Sequence, residues 1–165
     1  MSVMHFHHEL RYDAPVRAVR AMLADPAFRE ESARAQGVVS AEVTVTPAGE
    51  GMTVVVDQVQ PTAGVPAFAK KFAGETTRAI QTEQWSSATD AVIRIETPGK
   101  PTSITGTLSL RPDGDGGTVE TMAAEIRVKV PLIGGRLESL MAGLVAQGMD
   151  AEHEAGVAWL GKDRT

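Results

Sequence analysis

A chain of 165 residues with a formal net charge of −5, 42% hydrophobic and 22% charged, has the length and composition of one globular domain over residues 1–165. Basic residues are scattered and aromatics scarce, so the basic stripe and stacking platforms of a nucleic-acid binder are missing. No apolar run approaches the roughly 20 residues of a spanning helix, so no integral membrane association is expected. The lack of cysteine removes disulfides, thiolate catalysis and zinc–thiolate sites. No secretory signal pattern is present at the N-terminus, so a cytoplasmic location is expected.

The first segment, "HFHHEL", alternates. Phe6, His8, Leu10 and Tyr12 share one face, while His5, His7, Glu9 and Arg11 share the other, which reads as a half-buried strand over residues 5–13. Two short helices follow. Asp13 is placed to cap the first, with Val16, Val19, Met22 and Leu23, and Asp25–Pro26 opens the second, with Phe28 inside and Gly37 as the stop.

Beyond Gly37 the period falls to two. A hairpin is expected around Pro47, Gly49 and Gly51, with Val39, Ala41, Val43 and Val45 on a buried face. "VPAFAKKFAG" interrupts the strands with one short helix, Phe68 and Phe72 lying on one side. Strands resume at residues 75–85, 91–97, 102–111 and 118–130, separated by turn-forming stretches including "PDGDGG". That stretch lacks the rest of a calcium loop and is read as a hairpin turn. Their inward sets include Ile93 and Ile95; Ile104, Leu108 and Leu110; and Met122, Ala124, Ile126 and Val128.

A long helical pattern closes the chain from Pro131 to about Leu160. Its stripe is Ile133, Leu137, Leu140, Met141, Leu144, Gly148, Ala151, Ala155 and Trp159. His153 falls nearly opposite and is expected to be solvated, so "MDAEHEAG" is not read as a site despite Asp150 and Glu154. The order predicts an α+β fold, with about seven antiparallel strands in a curved sheet around the last helix and two short helices after the first strand.

That order, the Asp-Ala-Pro and Asp-Pro helix starts, Trp85 after a strand, "GKP", and "VPLIGGRLE" at residues 130–138 together resemble the START-like superfamily of lipid-transfer domains, birch-pollen-allergen-like proteins and polyketide cyclases. Within it, they resemble the family called domain of unknown function 2505. The resemblance implies a helix-grip fold with a hydrophobic cavity between sheet and last helix.

Against that cavity each candidate has two readings. His8 is a buried neutral imidazole bonded to a neighbour, or a polar anchor or acid/base group alongside Tyr12. Small residues from Gly148 to Ala155 either let the helix approach the sheet or leave room for a ligand, with Trp159 closing the far end. Phe68 and Phe72 cover the core or gate a mouth. Trp85 anchors the sheet, or lines the pocket and offers its indole N–H.

The residues expected at a ligand are His8, Tyr12, Gln58, Phe68, Phe72, Trp85, Ile95, Met122, Leu144 and Gly148. His5, His7 and Glu9 are read as a solvated strand face, so neither metal nor cofactor is expected. The leading reading is a non-enzymatic carrier or sensor of a small hydrophobic molecule, each buried apolar side chain contributing about 1.5 to 3 kcal/mol, with His8, Gln58 or Trp85 orienting a polar end. A cyclase or hydratase using His8 and Tyr12 in the same cavity is the rival, and an interaction module with a closed core is the third.

Overall fold

The computed structural model describes residues 3–62 and 65–162. The chain runs β1 (Met4–Tyr12), α1 (Val16–Leu23), α2 (Pro26–Ala35), β2 (Ser40–Ala48), β3 (Gly51–Pro61), α3 (Ala67–Ala73), β4 (Thr76–Trp85), β5 (Asp90–Glu96), β6 (Thr102–Pro112), β7 (Thr118–Val128) and α4 (Gly134–Lys162). All seven strands pair antiparallel in one open sheet ordered β1-β7-β6-β5-β4-β3-β2.

Local rules account for most of these elements. Asp25 accepts the Ala27 amide at 2.9 Å and Pro26 fills the first turn of α2, where its missing N–H costs nothing. Gly37 follows α2 at a φ of 77°, a left-handed geometry open to glycine. The first helix departs from expectation: it starts after Pro15, which occupies the cap position without a side-chain hydrogen bond, rather than at Asp13.

Period-two patterning decides which strand faces are buried. Leu10, Tyr12, Ile93, Ile104, Leu108, Leu110, Met122 and Ile126 form one core with Val19, Met22, Leu23 and Phe28 of the short helices. The β2 face is a correction. Ala41, Val43 and Val45 are only half-buried and Val39 is 62% exposed, because β2 is an edge strand with sheet on one side only.

Strands β1 and β2 lie on opposite edges, so the α1–α2 connection must cross the whole sheet. That crossing seats α2 against α4, and α4 also packs on α1, β1 and β7. Two expectations for α4 change as a result. His153 is half-buried rather than fully solvated: β1 lies alongside, so its Nε2 is 2.6 Å from the Arg11 carbonyl oxygen and its ring sits 5.0 Å from that of Tyr12. Trp159 does not close a cavity; it packs edge-on against Phe28 of α2 at 5.6 Å between ring centroids.

Candidate functional site

Between the sheet and α4 lies a cavity of about 270 Å³. Its long wall on α4 carries Leu137, Leu140, Met141, Leu144, Val145, Gly148, Met149 and Glu152. At 1.5 Å per residue, Leu137 to Glu152 spans about 22 Å of helix. The opposing wall is built from inward positions of β3 to β7, among them Gln58, Ala79, Ile93, Ile95, Ile104, Leu108 and Met122.

The two ends differ in chemistry. Near Val128 and Leu137 the wall includes Ala69 and Phe72 of α3, with the neutral hydroxyls of Thr97 and Thr102 and the basic Lys100 beside them. Two lining residues reach solvent, Phe72 of α3 at 37% exposure and Leu144 of α4 at 46%, so the cavity is open at these helices. At the other end the wall is acidic, with Glu83, Glu120 and Glu152 beside Gln36 and Gln81.

That polar end is organised around one buried ion pair. Arg29 of α2 donates from Nη1 and Nη2 to the two oxygens of Glu83 at 2.9 and 2.8 Å, and from Nε to the Leu23 carbonyl at 2.7 Å. Glu83 also accepts from Gln81 at 2.7 Å and from the Trp85 indole at 2.9 Å, which fills its four acceptor positions. Burial pushes the Glu83 pKa up, but the Arg29 charge and these donors outweigh it and hold the group below the ordinary carboxylate range.

Glu152 and Glu120 are less well served. Ser32 donates to Glu152 at 2.6 Å and itself accepts from Gln36 at 2.9 Å. Burial raises the Glu152 pKa, against the opposing charge of Arg29. Glu120 is 3% exposed, and its Oε1 has no hydrogen-bond partner among the described residues. Burial first, then the charges of Glu152 and Glu83, push its pKa up to about 8, with Arg29 only partly offsetting them.

Of the residues expected at a ligand, Gln58, Phe72, Ile95, Met122, Leu144 and Gly148 lie on the cavity wall. Four lie elsewhere. His8 turns toward α4, where its Nε2 is 2.8 Å from Asp150. Tyr12 is buried against α4, and a β-carbon at Gly156 would stand 2.8 Å from its ring. Trp85 spends its indole N–H on Glu83 instead of offering it to the cavity. Phe68 sits beneath the Arg136 guanidinium, 4.1 Å from its ring centroid. At Gly148 both readings meet: the residue lines the cavity, and a β-carbon there would come within 2.9 Å of the Gln36 Oε1 atom. His5, His7 and Glu9 lie exposed on the outer face of β1.

Sequence reasoning missed Glu83, Glu120 and Glu152, although a signal existed. Glu120 is in phase with Met122, Ala124 and Ile126, Glu83 with Trp85, and Glu152 lies four residues beyond Gly148. Arg29 carried no comparable signal, because its neighbours in α2 are mostly polar.

An open seven-stranded antiparallel sheet, two short helices after the first strand, and a long C-terminal helix over an internal cavity define the START-like helix-grip fold. The family model described as "Protein of unknown function (DUF2505)" matches residues 7–160, and the chain belongs to that family. No curated protein matches it.

Three solved structures show the same fold at low identity. Zhui aromatase/cyclase from Streptomyces sp. R1128 is 15% identical with a TM-score of 0.68, over 99% of this chain and 97% of that one. Ara h 8.0201 is 15% identical with a TM-score of 0.61, over 98% and 99%. Norcoclaurine synthase from Thalictrum flavum, in complex with dopamine and hydroxybenzaldehyde, is 14% identical with a TM-score of 0.55, over 93% and 86%. At these identities the likeness is one of fold, and function must be argued from the site.

Proposed function

We propose that this protein binds a small, mainly apolar molecule lengthwise between the sheet and α4, as a carrier or sensor. The observation that carries this reading is the 270 Å³ cavity, apolar along most of its length, with its carboxyl groups gathered at one end. Apolar walls supply affinity, and a few convergent polar groups fix orientation. Phe72 and Leu144 flank the mouth, and α3, with Ala69 its one buried residue, forms a lightly anchored rim. Binding without turnover is preferred over the cyclase reading because His8 and Tyr12, its proposed acid/base pair, lie off the cavity wall.

The test uses N-phenyl-1-naphthylamine, an apolar dye that brightens when removed from water. Titration of the full chain gives a saturable rise in fluorescence. In Ala79→Phe, which pushes a ring into the cavity from β4, dye affinity falls at least about tenfold, roughly 1.4 kcal/mol, while the cooperative melt is kept. A dye signal that does not saturate, or one indifferent to Ala79→Phe, would overturn the reading. Native mass spectrometry of gently purified protein supplies a second check through any co-purifying molecule.

A further inference from the structure

Resting on the cavity as a ligand site, we infer that its polar end selects a ligand carrying a protonated amine. Three carboxyl groups, Glu83 from β4, Glu120 from β7 and Glu152 from α4, converge there with one cation, Arg29 from α2. Arg29 and Glu83 satisfy one another and their remaining contacts come from the protein, so this pair has little left to offer a ligand. What remains is a surplus of acceptors: Glu152, which takes one hydrogen bond from Ser32, and Glu120, nine-tenths buried and more, whose Oε1 is unpartnered.

Among the described residues, Lys100 is the one basic side chain on the cavity wall, and it lies at the opposite end beside Pro101 and Val128. At this end an anionic ligand head would therefore meet further carboxyls, with the one free cation of the wall at the far end. A hydroxyl has a single hydrogen to give. An ammonium brings three donors and the charge that two carboxylates lack, so it matches both the hydrogen-bond and the charge deficit.

The titration behaviour is consistent with that assignment. In the empty cavity burial, Glu152 and Glu83 keep Glu120 protonated to about 8, with Arg29 opposing them and the Tyr12 phenol of β1 staying neutral beside them. A bound ammonium reverses the balance, so Glu120 ionises and its proton passes to solvent. Amine binding near pH 7 should release up to one proton per site, and alcohol binding none.

Calorimetric titration of the full chain with octylamine, 1-octanol and octanoate, in two buffers of different ionisation enthalpy, tests the inference. Octylamine is expected to bind about tenfold or more tightly than octanol, the scale of a charge-assisted hydrogen bond, with octanoate weakest and proton release confined to the amine. In Glu120→Gln the amine-to-alcohol ratio collapses and proton release disappears. Glu152→Gln provides a second variant that lowers the same ratio. Octanol binding as tightly as octylamine, or a ratio unchanged in both variants, would overturn the amine assignment while leaving the cavity reading intact. Failure of octanol, octylamine and the naphthylamine dye alike would sink both.

Discussion

Glu120 pulls stability in the opposite direction from Glu83, and the sign follows from their pKa values. Glu120 holds its proton to about 8 in the folded chain, against 4.5 for an ordinary glutamate. Unfolding between those values therefore releases a proton, so its contribution is fully present below about 4.5 and lost as pH rises through about 8. Glu83, held below the ordinary range, stabilises above that range and loses its contribution as pH falls through its lowered value. Glu120→Gln should melt with a smaller drop in midpoint between pH 5 and pH 9 than the parent chain, measured by circular dichroism. Removing Arg29 is costlier, because Glu83 would be left charged and buried: Arg29→Ala should lose about 3 to 5 kcal/mol, a fall in midpoint of roughly 10 °C. Strand alternation was enough to say that His8 and Tyr12 point inward. It could not say that α4, and not the cavity, stands opposite them, since that depends on residues more than a hundred positions away.

At the scale of elements, α4 illustrates how far periodicity reaches. Leu137, Leu140, Met141, Leu144 and Gly148 line the cavity as their stripe predicts, yet His153 and Glu152 were read as outward or left unread. A single stripe describes a helix with one buried face. This helix is gripped by the sheet on one side and by α1, α2 and β1 on others, so more of its circumference is covered. Two glycines of α4 give the prediction. A β-carbon at Gly156 would stand 2.8 Å from the Tyr12 ring and 3.2 Å from the Met22 methyl, so Gly156→Ala should destabilise by about 1 to 3 kcal/mol. Gly143 has nothing within 4 Å, so Gly143→Ala should stabilise by about 0.5 to 1 kcal/mol through helix propensity alone. Urea denaturation of both variants reads the difference, and equal effects would contradict the packing described for Gly156.

The whole molecule owes the buried ion pair behind its cavity to the long crossing from one sheet edge to the other. Because β1 and β2 bound the sheet, α1 and α2 must pass beneath it, and α2 carries Arg29 to Glu83, 54 residues further along the chain. Order of elements, strand ranges to within a few residues, and the apolar inward sets of β5 to β7 are local properties of periodicity and turn chemistry, and the sequence by itself determined them. The polar end of the cavity is different. Acidic residues on strands and helices read by default as facing water, and nothing local distinguishes Glu120 from an exposed glutamate except its phase with Met122 and Ile126. Only the tertiary structure decided that Glu83, Glu120 and Glu152 share one end of one cavity with Arg29 paired behind them, because their proximity arises from separate strand and helix packings, each blind to the others until the sheet closes over α4.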